Sequence, residues 1–360
     1  MSHPPEAGEP SVAEQPRSRT MVRLTGIVIG LVALVLALWW IYPALLLAFG
    51  GVLLAVFLRG LARPVHRWTG LSMAVGTVAV AALLLVLVVG GAVAMGAAMG
   101  RELSQLSQTL QEGVQRVREM VAQLPWGESV LSAASEGVRS GTSVLGQLPA
   151  MLGKTVEGAL SIVVVAFAGL YLAVSPQLYV EGAVRLFPRH RQARIREVLH
   201  ACGRALWLWL MGRAVVMLLV ALVTSAGLLL VGVPLAVPLG VIAGLLEFVP
   251  FFGSIVAGIP IVLVALTVDP TTAVYALLLV LAIQQTEGNL FEPLVEKKAV
   301  SVPPALILVA AIAFTLLFGI AGAVFATPLL VVLMVGVKML YQQDVLGEPV
   351  KVPGTPGRRA

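Results

Sequence analysis

Long apolar runs separated by short polar segments dominate the sequence. The runs cover residues 24–58, 71–99, 156–174, 205–231, 237–266, 271–284 and 305–337. A bilayer core about 30 Å thick needs about 20 apolar residues per helix, so most of these runs are long enough to span it. The first run is too long for one span. We therefore predict two short helices that turn near residues 39–43, where aromatic side chains suit an interface. The pattern predicts an all-α, polytopic integral membrane protein with about eight apolar segments.

The basic residues predict the orientation of these segments. Arginines precede the first run at 17–23 and follow it at 59–67, and more arginines crowd residues 185–204. An excess of Lys and Arg marks the cytoplasmic side, so both termini are expected there. Residues 101–154 carry no such excess and are expected outside. The expected organisation is a disordered cytoplasmic tail (1–20), N-terminal transmembrane helices (21–100), an external helical lobe (101–154), central transmembrane helices (155–232) with a basic cytoplasmic loop (176–204), a transport core with broken hairpins (233–340) and a cytoplasmic tail (341–360).

A heptad repeat runs through the expected external lobe. Leu103, Leu110, Val117 and Leu124 recur every seven residues. Such a stripe is typical of a helix that packs on another helix. The partner is either a second helix of the same lobe or a second subunit, and the repeat leaves both possibilities open.

Composition and charge exclude several other classes of protein. The chain is 59% hydrophobic and 12% charged, with a mean hydropathy of +0.97, which is too apolar for a water-soluble domain. The net charge of +6 comes from residues that flank apolar runs, so no nucleic acid partner is expected. A single cysteine, four histidines in polar segments and the lack of nucleophile–base motifs predict no metal site, no cofactor and no enzymatic activity.

Two of the later runs are interrupted by proline and glycine, at residues 250–253 ("PFFG") and 318–322 ("FGIAG"). Non-helical backbone at membrane depth is tolerated only where it is buried in protein or lines a water-filled cavity. Proline removes an amide donor, and glycine lets the chain reverse. If both runs are re-entrant hairpins, Lys297 and Lys298 lie on the cytoplasmic side. Two full crossings would place these lysines outside, so charge favours hairpins.

A carboxylate, Glu247, lies three residues before Pro250. An ionised side chain at the centre of a membrane costs a few kcal/mol, so such a residue is a candidate for function. Glu247 could carry a coupling proton, bind a polar solute or pair with an arginine. A location near the interface, with the carboxylate reaching the headgroups, is the alternative.

A second polar patch, "QQTEGNLFEP", covers residues 284–293. On a helix Gln285, Asn289 and Glu292 fall within roughly 60° of one another and form one stripe. Glu287 points about 160° away from Asn289 on the same helix. Either the following glycine breaks the helix, or Glu287 has a separate partner. The stripe suits a path for a polar solute, or a helix end that emerges into water.

Three stretches, residues 244–260, 284–308 and 318–333, resemble the AI-2E transporter family of autoinducer-2 exporters and PerM-like permeases. The resemblance extends over roughly residues 20–340. It implies a secondary exporter of the bacterial inner membrane, with members linked to autoinducer-2 efflux or to sodium/proton antiport, that assembles as a homo-oligomer. Family members often have tyrosine where Phe251 stands, so the substrate or affinity of this chain can differ. The site residues that the resemblance implies are Glu247, Pro250, Gly253, Pro260, Gln285, Glu287, Asn289, Glu292, Pro293, Gly319, Gly322 and Pro328.

These observations lead to one expected function and two alternatives. We expect a secondary transporter in the lipid bilayer that exports a small polar, autoinducer-2-like solute, driven by a proton or sodium gradient. A monovalent cation/proton antiporter would instead show sodium-dependent proton movement. A non-transporting membrane scaffold would depend on the lobe and tolerate substitutions in the hairpins.

Overall fold

The computed structural model describes residues 15–123, 155–250, 252–291 and 303–348. Across these ranges the chain forms α-helices with two π-helical segments, and no β-strand occurs in them. The described residues up to 46 and those from 47 onward form two compact units. The all-α fold class is therefore confirmed.

Nine α-helices are described. They are α1 Gln15–Thr69, α2 Met73–Ala122, α3 Thr155–Val174, α4 Pro176–Arg185, α5 Arg189–Val231, α6 Ala236–Leu246, α7 Phe252–Val268, α8 Pro270–Thr286 and α9 Pro304–Gly336. The π-helical segments Glu287–Phe291 and Val337–Gln343 follow α8 and α9.

Several of these helices are long and apolar enough to cross a membrane. By length and composition alone, within the described ranges, they are Trp39–Thr69 of α1, Met73–Gly91 of α2, all of α5, and Ala305–Gln343, which contains all of α9 except its first residue. The pair α3 and α4, bent by 86°, could supply a fifth span. Helices α6, α7 and α8 are shorter, with 11, 17 and 17 residues. The chain is thus a polytopic membrane protein, and the number of about eight segments stays a prediction.

The predicted turn near residues 39–43 is wrong, because α1 stays helical through this segment. Trp39, Trp40, Ile41 and Tyr42 are bulky apolar or aromatic residues, and none of them favours the backbone conformations of a tight turn. Pro43 removes one amide donor, which a long apolar helix tolerates.

Helix α2 continues from its apolar half into the expected lobe, and there it packs on α7. A Cβ atom at Gly113 would lie only 2.5 Å from the carbonyl oxygen of Leu263, so the two helices touch at this glycine. One turn further on, Arg116 Nη1 donates to the carbonyl oxygen of Leu266 at 2.9 Å. The heptad residue Leu110 packs on an apolar cluster that α7 forms with α5, α6 and α8, whereas Val117 is exposed. The side chains of the other two heptad residues, and residues 124–154 of the lobe, lie outside the described residues.

Three apolar clusters form the core of the described chain. The first joins α5, α6, α7 and α8 through residues such as Val220, Leu239, Ile261 and Ala276. The second joins the first half of α5 to the second half of α9. The third joins the end of α1 to α2 and α3. The first two clusters share α5, which is therefore the central helix around which the candidate site is built.

Candidate functional site

Helices α5 and α6 form a tight antiparallel pair. Gly232 ends α5 with φ 81°, a left-handed conformation that glycine adopts without steric cost, and its amide donates to the carbonyls of Leu228 and Leu229. After the turn, Gly240 and Gly244 lie directly against α5. A Cβ at Gly240 would be 2.8 Å from Ala221 O. The small-residue stripe thus fixes the register of α6 on α5.

This register places Glu247 opposite Arg213. Gly244 faces Met217, and Arg213 lies one turn before Met217 on the same face of α5. Arg213 Nη2 donates to Glu247 Oε1 at 2.9 Å. Glu247 is the residue at which α6 ends, and its amide still donates to Ala243 O at 3.0 Å. The end of α6 therefore places the Glu247 carboxylate beside Arg213, in the middle of α5.

The chain reverses immediately after Glu247. Phe252 N donates to Pro250 O at 2.7 Å and Gly253 N donates to Val249 O at 2.9 Å, which closes the turn and starts α7. A Cβ at Gly253 would lie 2.7 Å from Glu247 Cα, so the fold-back has no room for a side chain there. The next residue, Ser254, consequently points back at Glu247, and its Oγ donates to Glu247 Oε2 at 2.8 Å.

Helix α8 returns alongside α7 and brings a second carboxylate to the same place. The two helices are antiparallel neighbours, and Gly258 of α7 lies against Val280 of α8. Glu287, the first residue of the π-helical segment, receives Arg213 Nη1 at 3.3 Å. Its Oε2 is 3.5 Å from Ser254 Oγ. We call Arg213, Glu247, Glu287 and Ser254 the charged cluster.

The charged cluster is almost completely removed from solvent. The side chains of Arg213, Glu247 and Glu287 are exposed by 6%, 0% and 7%. Desolvating an ion costs several kcal/mol, and a buried pair repays this only when its geometry and hydrogen bonds are good. Arg213 Nε is also buried and has no hydrogen-bond partner among the described residues. Burying the cluster therefore costs free energy of folding, and a contribution to stability does not explain its presence.

A small cavity adjoins the cluster, and the α5 residues that line it, Val220 and Thr224, follow Arg213 along the helix. Its volume of about 20 Å³ is enough for one water molecule. The polar side chains of Thr224, Glu247 and Ser254 contribute to its wall, and the rest of the wall is apolar. The lining residues are Val220, Thr224, Ala243, Glu247, Ser254, Ala257, Ile261, Val280 and Ile283.

Helix α9 contains a second fold-back, at Gly319. This residue has φ 66° and ψ −153°, which is not helical. A Cβ at Gly322 would lie 2.7 Å from the carbonyl carbon of Phe314, although residues eight apart in a straight helix are about 12 Å apart. The two halves of α9 therefore lie side by side, as the glycines of "FGIAG" predict.

The second half of α9 runs antiparallel to the first half of α5. Cys202 Sγ lies 3.9 Å from Val332 O, and Arg194 Nη2 donates to Met339 O at 2.9 Å. Continued by about three turns, this register brings the Gly319 fold-back to the level of Arg213.

The predicted site residues are distributed unevenly over this structure. Glu247 and Glu287 meet at Arg213, and Pro250 and Gly253 build the turn beside them. Pro260 lies inside α7 and Pro328 inside α9. Gly322 is buried against Phe314, and Gly319 is exposed. Gln285 and Asn289 are also exposed, with Asn289 Nδ2 donating to Gln285 O at 2.9 Å. Glu292, Pro293 and Phe251 lie outside the described residues.

Two residues of the charged cluster were absent from the predicted set. Arg213 stands alone in "WLWLMGRAVVMLLV", a run otherwise without charge, and an ionisable residue inside a predicted span is itself a signal. Ser254 gives no comparable signal, because a serine in an apolar helix is common and usually bonds to its own backbone.

An all-helical membrane protein with a buried charged cluster beside one helical fold-back, and a second fold-back in α9, has features typical of a membrane transporter. The family model described as "AI-2E family transporter" matches residues 28–342, and the chain belongs to this family of membrane transporters. A relative from Mycobacterium tuberculosis, "Putative transport protein MT0215", is 31% identical over 322 residues, which is 83% of this chain and 84% of the relative. "Putative transport protein YueF" from Bacillus subtilis is 26% identical over 186 residues, which is 52% of this chain and 50% of the relative.

Proposed function

We propose that this membrane transporter exports a small polar, autoinducer-2-like solute across the bacterial inner membrane, driven by a proton or sodium gradient. The observation that carries the proposal is the charged cluster at the fold-back between α6 and α7. Ionisable residues in the membrane interior commonly mark ion paths and proton relays. Alternating access would occur around the two fold-backs.

The open donor on Arg213 supports a functional role for the cluster. An arrangement that served only stability would be expected to satisfy every buried donor, whereas Arg213 Nε has no partner among the described residues. The neighbouring cavity gives the cluster contact with a space that can hold water. Both features suit a site that exchanges its partners during transport.

Gln285 and Asn289 offer a polar surface beside the cluster. Gln285 lies in the last turn of α8 and Asn289 lies in the π-helical segment, and both side chains are exposed. Amide side chains on an exposed helix face within the membrane need water, solute or another subunit as partner. We assign this surface to the solute path, together with Glu292, and expect the protein to work as a homo-oligomer with both termini in the cytoplasm.

The size of the cavity favours a second candidate, a monovalent cation/proton antiporter. A space of about 20 Å³ accepts one water molecule or a small ion but no organic solute. An exporter of organic solutes must therefore open this region substantially, whereas an ion needs only a small rearrangement.

Reconstituted flux decides between these functions. Proteoliposomes would be loaded with autoinducer-2 or other labelled small polar solutes, with and without imposed proton and sodium gradients, and efflux would be measured. The exporter predicts gradient-dependent solute efflux, whereas the antiporter predicts sodium-dependent proton movement with no added solute.

Glu247→Gln tests the site itself. We expect it to abolish gradient-coupled transport while the protein remains in the membrane. Glu181→Gln is the matched control, because Glu181 is exposed on α4. Unchanged coupled flux in Glu247→Gln would remove Glu247 from the mechanism.

A further inference from the structure

Thr224 of α5 is a buried threonine whose hydroxyl takes part in none of the hydrogen bonds among the described residues, although its side chain is only 2% exposed. Other threonines in the helices bond to their own backbone. Thr77, which is 0% exposed, donates to Met73 O at 2.7 Å. Thr315 donates to Ala311 O at 2.6 Å. Buried polar groups are nearly always paired, so the Thr224 hydroxyl needs a partner from outside the chain.

The cavity beside the charged cluster is the place for this partner, because Thr224 lines it. A buried water molecule needs a space of at least about 10–15 Å³ and two to four polar partners. The cavity measures about 20 Å³, and Thr224, Glu247 and Ser254 are the polar side chains of its described wall. Both requirements for one water molecule are therefore met.

The donors and acceptors of the wall give Thr224 a particular role. Ser254 Oγ donates its one hydrogen to Glu247 Oε2 at 2.8 Å, and Glu247 is ion-paired with Arg213 at 2.9 Å. A carboxylate only accepts, and the serine oxygen keeps its lone pairs, so both groups can accept from a water molecule but neither can donate to it. Among the described side chains of the wall, the Thr224 hydroxyl is the donor that is still free.

We propose that Thr224 is a further residue of the site and that it holds one water molecule in the cavity. The Thr224 hydroxyl donates to the water oxygen, and the water donates to the Glu247 carboxylate and to Ser254 Oγ. The water hydrates a carboxylate that the protein otherwise removes from solvent. Thr224 is thus a positioning residue that acts on Glu247 through the water, and its part in transport rests on the proposed function.

Radiolytic labelling of the full-length protein in lipid nanodiscs detects such a water. Hydroxyl radicals that X-rays generate from a bound water molecule modify the side chains beside it, and mass spectrometry locates the modification. Ile261 lines the cavity and is 1% exposed. Val264 lies on the same helix, is 0% exposed and is not part of the cavity wall. We expect the wild type to be labelled at Ile261 and not at Val264.

Three variants test the role of the hydroxyl. Thr224→Val keeps the shape of the side chain and removes the donor, so it should lose most of the Ile261 labelling and lower gradient-coupled flux. Thr224→Ser keeps the hydroxyl and should retain both, which a role in packing alone would not predict. Thr77→Val is the matched control, because the buried Thr77 hydroxyl bonds to its own helix, and it should change neither quantity.

Several outcomes would overturn the proposal. A wild type without label at Ile261 holds no water in the cavity. Label at both Ile261 and Val264 would come from bulk water that enters an opened structure. Labelling that persists in Thr224→Val would mean that Thr224 does not hold the water.

Sodium is the competing occupant, and it is tested by labelling in sodium chloride and in choline chloride. We expect equal labelling of Ile261 in the two salts. A loss of label in sodium chloride would show that the cation replaces the water and would overturn the assignment. Labelling requires neither solute nor gradient. A wild type without gradient-coupled flux would therefore contradict the proposed function and leave the water site standing, and a wild type with coupled flux but no label at Ile261 would do the reverse.

Discussion

Replacing Arg213 by methionine removes the cation that faces Glu247 and keeps a side chain of similar length. The Glu247 side chain is 0% exposed and Arg213 is 6% exposed, so solvent cannot replace the lost charge. Breaking a buried ion pair by removing one partner typically destabilises a protein by about 3–5 kcal/mol. We expect Arg213→Met to lower the free energy of unfolding by this amount.

The double variant Arg213→Met/Glu247→Gln should recover part of this stability. It removes both charges of the pair, and buried ion pairs are often replaced by neutral groups at little cost. Glu287 also loses Arg213 in the double variant, so we expect the recovery to be partial. Stability and coupling should therefore separate: the double variant folds, and its gradient-coupled transport is lost.

Equilibrium unfolding in mixed micelles with increasing SDS, followed by far-UV circular dichroism, measures these differences. Arg196→Met is the matched control, because Arg196 is exposed on the same helix and should change the free energy by less than about 0.5 kcal/mol. The reasoning would be refuted if Arg213→Met cost no more than Arg196→Met. It would also be refuted if the double variant were as unstable as Arg213→Met.

Three further substitutions test other parts of the structure. Gly253→Ala places a Cβ 2.7 Å from a backbone atom of the preceding turn, so it should cost about 1–3 kcal/mol and weaken transport, whereas Gly203→Ala, with open space around it, should be tolerated. The Thr272 hydroxyl and amide both donate to Asp269 and hold the pKa of its carboxyl below the ordinary value. Asp269 therefore stabilises the start of α8 at neutral pH, and this contribution should disappear as the pH falls below about 4; in Asp269→Asn the unfolding temperature should lose this acid dependence. Cys202 is buried, so a labelling test of the orientation uses a variant with Cys202→Ala and a new thiol at an exposed position, His200→Cys. A maleimide that cannot cross membranes should label this thiol from the cytoplasmic side only. Labelling from outside would invert the proposed orientation.

Much of the first fold-back could be predicted from local sequence. Pro250 and Gly253 break the helix for reasons that belong to each residue alone, the missing amide and the missing side chain. Glu247 is conspicuous because a carboxylate in an apolar run is costly wherever the run ends up. The structure places the break at these residues and buries this carboxylate completely.

The partners of these residues could not be predicted in the same way. Arg213 is 34 positions from Glu247 and 74 from Glu287. It meets Glu247 through the register that Gly240 and Gly244 impose on α5 and α6, and it meets Glu287 through the return of α8. The helical phase of Glu287 showed that it points away from Asn289, but both a broken helix and a separate partner explained this. In the structure Glu287 has a separate partner, since Arg213 donates to its carboxylate, and the helix continues past Gly288 as a π-helical segment.

The segment at residues 39–43 and the lobe show where local patterns mislead. Length and flanking arginines suggested a turn in the first run, yet the residues there form a helix. The heptad in the lobe suggested a partner helix nearby or in another subunit. In the structure this part of α2 packs on α7, with Arg116 bound to a carbonyl 150 positions away.

The sequence by itself determined the environment of this protein and the lengths of its segments. Transfer of apolar side chains out of water adds up residue by residue, so long apolar runs specify a membrane protein in any fold. Only the tertiary structure decided which charges meet. The energy of a buried ion depends on atoms within a few ångströms of it, and these atoms come from parts of the chain far apart in sequence. Arg213, Glu247, Ser254 and Glu287 become one site because four separate segments bring them together.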